Sequence, residues 1–429
     1  MEDYSSNVSQ DSSVKFEVLQ AEARRALHRG KPAAALSLYA RIVRTRPSIE
    51  SYTNMAIALY QLRRYDEALA ISHRAVNFAQ NVAVVWANHA TLLRGLNRLD
   101  ESLTAFQRSL DLEPQHVDVV VKKALCLLCL GRYQEGFALR EQKWASSKWL
   151  RILRQFPQRR WLGASESLRG KRILIHSERG LGDTVQLVRY AKLVAEAGGF
   201  AILEVQPALK PLLTGLPHVV SVCSVGEQLP EFDVHCAFSS LPHLFGTTLD
   251  SIPQEIPYLH VQPGWRRKSA QLVGGGRLRI GFVYRGNIRH GGGIFDQRPI
   301  PLAILLRLCT GTPHGWFCLQ TDATVREMAL MKETPNVAHL GGQIENLADT
   351  AAIIEQLDLI ISIDTAVAHL AAAVGKPVWV LAPFSPAWQW RVFGNKPPWY
   401  PHAQVFRQRR PGDWEDLVSV LLPKISMLA

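Results

Sequence analysis

From residue 15 to about 149, apolar residues recur with helical spacing, and small residues punctuate them at a fixed interval: Ala23, Ala56, Ala90 and Ala124 stand 33, 34 and 34 residues apart. Twelve residues after each comes a second small position, Ala35, Ala68, Ser102 and Gly136, entered through the turns GKPAA, RYDEA, RLDES and RYQEG. Small residues let two helices approach closely while larger apolar residues fill the space beside them. The pattern therefore predicts four helical hairpins, over 15–48, 49–81, 82–115 and 116–149. Pro47 and Pro114 close two of them at the same offset. Stacked hairpins of this kind form a curved array whose concave face usually receives a peptide or a protein. The segment KWLRILRQF, with Trp149, Leu150, Leu153 and Phe156 at helical spacing, is expected to cap the array, and residues 150–170 to join it to the C-terminal part of the chain. The polar residues 1–14 are expected to be disordered.

At Lys171 the periodicity changes. RILIHSE, AILEVQP, SVCSVG, FDVHCAF, RIGFVY, WFCLQTD, LDLIISID and PVWVLAP are short aliphatic or aromatic runs, and helical stretches such as DTVQLVRYAKLVAEAGG, DTAAIIEQL and TAVAHLAAAVG lie between them. Strands alternating with helices predict an α/β region with largely parallel sheets and ligand sites at the carboxyl ends of the strands. The polar, glycine-rich HVQPGWRRKSAQLVGGGRLR divides that region. A short first lobe is expected at 171–262, a linker at 263–277, a second lobe at 278–410 and a C-terminal helix within 411–429. The fold class is multidomain: an all-α superhelix of repeats followed by a two-lobed, Rossmann-like α/β region.

Composition narrows the setting. Hydrophobic residues are 47% of the 429 and charged residues 20%, enough apolar material for real cores. The start lacks the basic segment and apolar run of a secretory signal, and no window approaches 18 uninterrupted apolar residues, so a cytoplasmic protein without a transmembrane segment is expected. The six cysteines sit among aliphatic neighbours, consistent with a reducing compartment. Cys126 and Cys129 have CxxC spacing, but no second pair completes a zinc site, and LCLLCL reads as a buried helix face.

The net charge of +12 calls for an anionic partner. Between Arg140 and Arg172 ten Lys or Arg face only Glu141 and Glu166, and residues 391–410 contain no acid. Positive charge beside glycine-rich turns suits a phosphate-bearing ligand. No zinc finger, RNA-recognition motif or helix-turn-helix accompanies it, so nucleic acid is not the expected partner. GLGD lacks the GxGxxG of dinucleotide sites, and no P-loop, HExxH, EF-hand or GxSxG motif is present.

Several residues have the chemistry of a phosphate site. LIISID running into TAVAHLAAAVG leaves the first helical amides, around Thr365, Ala366 and Val367, pointing from the strand's carboxyl end, an arrangement that favours a pyrophosphate. Asp364 is placed either to accept bonds from sugar hydroxyls or to cap the helix, and His369 either to face phosphates or to pack in the core. Arg285, in the turn VYRGN, is the first candidate to offset charge on a leaving phosphate, with Arg298 and Arg391 behind it and Asn287 in the same turn as Arg285.

In chain order, SERGLGDTVQLVRYAKLV, LEVQPALKPLL, DTAAIIEQLDLIISIDTAVAHLAAAVGKPVWVLAP and WYPHAQVFRQ resemble bacterial glycosyltransferases of the two-lobed GT-B fold. They are most similar to the heptosyltransferase group, glycosyltransferase family nine, in its members that carry an N-terminal tetratricopeptide array. The resemblance extends over nearly the whole chain from residue 15. It implies a metal-independent enzyme without cofactor that moves a sugar from a nucleotide-sugar donor to a hydroxyl acceptor. It also implies that Asp183 is the general base of the glycine-aspartate turn Gly180–Gly182–Asp183, and that Asp364 and the amides after it contact the donor. The residues alone leave a second reading of Asp183, since with Gln186 it has the spacing of a capping box. Glu178 fits the motif without an assigned role.

A protein acceptor presented by the repeats, such as a surface or flagellar subunit, is preferred to heptosyl transfer in lipopolysaccharide assembly. The reading from another class is a non-catalytic repeat scaffold with a degenerate transferase domain. Two departures from the family bear on this: the first lobe is short, and IRHGGGIFDQRP is glycine-rich where a lysine or arginine is expected.

Overall fold

The computed structural model describes residues 3–146, 155–163, 165–178, 180–274, 277–286, 298–310, 312–391 and 396–428, with 3–15 as backbone. They divide into two units, one of residues up to Leu127 and one from Leu128 onward. The first unit is all-helical: α1 (Asp3–His28), α2 (Pro32–Thr45), α3 (Ile49–Gln61), α4 (Tyr65–Phe78), α5 (Ala83–Gly95), α6 (Leu99–Leu112) and most of α7 (Val117–Cys129). The helix α8 (Tyr133–Glu141), second in the fourth repeat, lies in the second unit.

The small residues sit where helices touch: Ala23, Ala35, Ala68, Ala90 and Ser102 are completely buried, and the Ser102 hydroxyl donates to the Ala90 carbonyl at 2.7 Å. A second period is visible only in the backbone. Gly30, Arg63, Asn97 and Gly131 all adopt positive φ, between 58° and 78°, at the end of each first helix. Arg63 and Asn97 hold this left-handed turn at a cost of about 1–2 kcal/mol each, which Gly30 and Gly131 avoid. The next residue opens the second helix, and Arg64, Arg98 and Arg132 each pair at 2.6 Å with the glutamate three positions on.

Residues 3–14, part of the stretch expected to be disordered, belong to α1, which already runs from Asp3. No glycine or proline precedes Gly30, so nothing stops the packed helix from propagating back toward the N-terminus.

In the second unit, β1 (Arg172–His176), β2 (Phe200–Val205), β3 (Val219–Ser224) and β4 (Val234–Ala237) form a parallel sheet in the order β3-β2-β1-β4. A second parallel sheet contains β5 (Arg279–Val283), β6 (Gly315–Cys318), β7 (Val337–His339), β8 (Leu359–Ile363), β9 (Val378–Ala382) and β10 (Gln404–Arg407), in the order β10-β9-β8-β5-β6-β7. The inner strands are buried on both faces, as parallel strands under helices must be. This is the two-lobed α/β architecture of the GT-B fold.

The chain order reverses between β1 and β4 in the first sheet and between β5 and β8 in the second. At such switch points a crevice opens beyond the carboxyl ends of the strands. The turn with Asp183 comes after β1, VYRGN after β5 and Asp364 after β8, so the motifs read from sequence stand at both crevices.

Other expectations are modified. The helix expected over 183–199 is broken into Leu181–Leu187, a 3-10 turn and Ala191–Glu196. The first part of the 263–277 linker is the helix Pro263–Ser269, held to the second-lobe helix Leu347–Gln356 by Arg266–Glu355 at 2.6 Å and Lys268–Asp349 at 2.8 Å. The C-terminal helix is Trp414–Ser426, with Leu417, Val418 and Leu421 in the second-lobe core. Of the expected cap, Trp149, Leu150 and Leu153 lie outside the described residues, while Phe156 packs against His176 and His235. All six cysteines are buried thiols outside any disulfide, and the described residues hold no cluster of side chains fit to bind a metal ion.

Candidate active site

The helix Leu181–Leu187 brings Asp183 into the crevice. Its N-cap is Gly180, and Asp183 stands at the third helical position without capping anything, so the capping-box reading fails. The two glycines make room. A methyl at Gly180 would come within 2.8 Å of Asp183 Oδ2, and one at Gly182 within 2.9 Å of His369 Cδ2, a ring carried by the second lobe. Only a residue without Cβ lets the first-lobe turn come this close to the helix Ala366–Ala373.

Asp364 ends β8, and the N-cap of the helix after it is Thr365, not Asp364. The carboxylate turns instead to aromatic partners: Trp390 Nε1 donates to Asp364 Oδ1 at 2.8 Å, and His369 Nε2 stands 3.8 Å from the same oxygen. His369 is buried, with Nδ1 3.0 Å from the Tyr400 hydroxyl and its ring against Trp390 at 4.7 Å. It therefore braces Asp364 from behind. Thr365, Ala366 and Val367 are partly exposed, and Thr365 makes no side-chain cap, which leaves the amides of the first turn open at the crevice. The turn after β5 reaches the same place, since a methyl at Gly286 would lie 3.9 Å from Thr365 Cγ2.

The two carboxylates are perturbed in opposite directions. Burial pushes Asp183 up, and the nearby charges of Glu178 and Asp364 add to this; Arg140 and His369 pull it back only in part. Burial would raise Asp364 too, but His369, Arg298 and the Trp390 bond together bring it below the ordinary range. One carboxyl is poised to take a proton and the other to remain an anion.

The remaining candidates divide. The charge of Arg298 helps to hold the Asp364 carboxyl down. Arg391 directly follows Trp390 in sequence, and its charge is felt by Arg407. Arg285 is a correction. Its guanidinium is 10% exposed, 3.0 Å from both Asp322 and Glu327, and also donates to the Asp322 carbonyl, so it braces the second lobe. Asn287 and residues 288–297 of the glycine-rich loop lie outside the described residues.

Four contributors carry no sequence motif. Gln389 Nε2 donates to Asp183 Oδ1 at 3.3 Å, Trp390 holds Asp364, and the charge of Arg140, on α8, pulls the Asp183 carboxyl down against its burial. Lys143 gives Glu178 its role: Nζ donates to Glu178 at 2.5 Å and to Ser239 at 2.6 Å, tying the end of the fourth repeat to the first lobe. Burial would raise Glu178, yet Lys143 and Arg140 hold it at about 2. The aromatic cluster WQW was the one readable signal for Gln389 and Trp390.

Residues 315–410 match the model of glycosyltransferase family 9 (heptosyltransferase), and residues 21–81 and 88–141 that of the tetratricopeptide repeat. Protein FlbA of Caulobacter vibrioides (strain ATCC 19089 / CIP 103742 / CB 15) is 25% identical over an alignment covering 91% of this chain and 75% of FlbA. The solved glycosyl transferase family 9 protein from Veillonella parvula DSM 2008 is 12% identical, covers 62% of this chain and 92% of its own, and superposes with a TM-score of 0.41. E. coli ADP-heptose lps heptosyltransferase II is 14% identical, with coverage of 59% and 99% and a TM-score of 0.40. The chain carries tetratricopeptide repeats and a family 9 domain, and that domain makes it a glycosyltransferase. The family 9 match runs from β6 to β10, so Asp364, Thr365 and His369 lie inside it and Asp183 outside.

Proposed function

We propose that the chain moves a sugar from a nucleotide-sugar to a hydroxyl of a protein acceptor, with Asp183 as general base and Asp364 beside the donor sugar. The observation that carries this reading is the approach of the Asp183 turn to His369 and Asp364 across Gly182. The acceptor oxygen forms a bond to the anomeric carbon as the bond from that carbon to the diphosphate breaks. The hydroxyl proton passes to Asp183, whose raised proton affinity favours the transfer. Negative charge left on the diphosphate meets the open amides of Thr365, Ala366 and Val367, with Arg298 as the nearby side-chain cation. No metal ion or cofactor is part of this scheme.

A protein acceptor is supported by the repeats, whose concave faces commonly hold peptides. A cytoplasmic setting agrees with six buried thiols, none of them in a disulfide.

Calorimetric titration against a panel of nucleotide-sugars without metal tests the reading. Saturable binding is expected, kept in Asp183→Ala and lost in Asp364→Ala. A chain that binds no member of the panel is a scaffold and not this enzyme.

A further inference from the structure

The first lobe has its switch point at the carboxyl ends of β1 and β4, and the end of the fourth repeat fills it. The 3-10 turn Gln142–Ala145 follows α8. From that turn Lys143 Nζ donates to Glu178, two residues past β1, at 2.5 Å and to Ser239, two residues past β4, at 2.6 Å. The next hydroxyl, that of Ser240, donates to the Glu141 carboxylate at 2.9 Å. The place where a sheet of this kind receives a ligand is thus built over by the chain's own side chains. Beside them a cavity of about 140 Å³ remains, walled by Glu141 and Trp144 from the repeat end and by Arg160, Trp161, Leu162 and Leu244 from the lobe. Ser240, also on its wall, belongs to the turn Phe238–Ser240, which contacts the helix that carries Asp183.

The polar groups of this cavity are unbalanced. The Arg160 guanidinium lies over the Trp144 ring, 4.6 Å from its centroid, and makes no side-chain hydrogen bond or ion pair among the described residues. The Trp144 Nε1–H is buried and has no acceptor among them either. Glu141, the one carboxylate on the wall, is taken up by Ser240. Donors therefore outnumber acceptors, and a guanidinium with its face stacked presents its N–H fork to a planar anion. Glu141 limits the charge of that anion, because it opposes a dianion such as phosphate more strongly than a single carboxylate. The Trp161 ring is buried against Phe245 at 5.3 Å and that of Trp144 carries Arg160, so the wall does not favour a stacked sugar. Apolar surface is available instead at Leu162, which is 64% exposed.

We propose that this cavity binds a peptide carboxylate borne on a short apolar stem, an acidic side chain or a C-terminus, held by Arg160 and the Trp144 Nε1–H with the stem against Leu162 and Leu244. The last turn of the repeats then shares in recognising the peptide, and the pocket exists only where the repeat end and the first lobe meet. That this peptide is the acceptor of the sugar rests on the proposed function; the preference for a carboxylate does not.

NMR of the indole N–H groups in the full chain tests it, following the Trp144 signal that Trp144→Phe removes. N-acetylglutamate α-amide, which offers a side-chain carboxylate, and N-acetylalanine, which offers a terminal one, are titrated beside N-acetylglutamine α-amide and inorganic phosphate. The signal is expected to move saturably with one or both carboxylates, the tighter of them naming the source. Binding should weaken by about tenfold or more in Arg160→Gln, the usual effect of removing a charged hydrogen-bond partner. Should Arg160→Gln fail to fold, Arg160→Lys, which keeps the charge and loses the fork, should still bind several-fold more weakly than the parent. No movement with either carboxylate, equal binding of the glutamine amide, tighter binding of phosphate, or unchanged affinity in the folded Arg160 variant overturns the site. Carboxylate binding by a chain that binds no nucleotide-sugar overturns the acceptor role and leaves the site standing.

Discussion

Asp183 and Asp364 invite comparison because so much about them is alike. Each comes after a central parallel strand, each is partly exposed at the crevice, and burial pushes each toward the neutral acid. They part company in their partners. Asp364 receives an indole N–H at 2.8 Å and lies beside His369 with Arg298 nearby. Asp183 receives one side-chain amide at 3.3 Å and is raised further by the charges of Glu178 and Asp364. Burial does not distinguish the two carboxylates here. The supply of donors and cations does.

The harshest way to break the comparison is Asp183→Asn, which removes the proposed proton acceptor and keeps the shape. Transfer should fall by about 10²–10⁴-fold while nucleotide-sugar binding persists. Stability should move the other way. The folded-state value of Asp183 is raised, so its ionised form burdens the fold once the pH exceeds that value and makes no difference below the unfolded value. Asp183→Asn should therefore melt higher than the parent at neutral pH, and the gain should vanish as the pH falls below the ordinary aspartate range. A variant that melts lower at every pH would deny that Asp183 is held at a cost.

Next in size is Lys143→Met, which acts on the neighbour of Asp183. It leaves Glu178 buried without its cation, and breaking a buried pair on one side costs about 3–5 kcal/mol. Glu178 is depressed to about 2 from an ordinary 4.5, so its contribution is present above the ordinary value and lost as the pH falls toward 2. Burial pulls Lys143 down as well, which offsets part of that gain. Lys143→Met should accordingly lower the unfolding midpoint of the second unit most at neutral pH. Adding Glu178→Gln should recover much of the loss. A Lys143→Met chain as stable as the parent would mean that Glu178 is satisfied by Ser239 and water.

Much of this was legible in the sequence, for a physical reason in each case. Ala23, Ala56, Ala90 and Ala124 betray the repeats because close helix packing tolerates only small side chains at fixed intervals. The inner strands are legible because parallel strands buried on both faces must be continuous aliphatic runs. The edge strands β7 and β10 escape, since VAH and QVFR are short and partly exposed. Asp183 and Asp364 sit in turns whose spacing can be read, whereas Lys143 is 35 residues from Glu178 and Gln389 is 206 from Asp183, distances along the chain that no local pattern encodes. Arg285 misleads for the same reason. Its turn is legible, but its partners Asp322 and Glu327 come from another segment, where Thr324 and Glu327 form a capping box that also serves the arginine.

The gentlest test narrows the gap from the other side. Trp390→Phe removes the indole N–H from Asp364 and keeps an aromatic ring against Tyr400, now stacked at 5.1 Å and 22°, and against His369. Losing one such bond should weaken nucleotide-sugar binding by about fivefold, the equivalent of about 1 kcal/mol. Because that bond helps to hold Asp364 ionised, the loss of affinity on acidification should begin at higher pH in the variant. Both effects should be smaller than those of Asp364→Ala, which removes the acceptor itself. If Trp390→Phe binds like the parent at every pH while Asp364→Ala does not bind, the indole only packs. Holding the anion would then fall to His369 and Arg298, and the contrast between the two carboxylates would rest on nearby charge and not on donated hydrogen bonds.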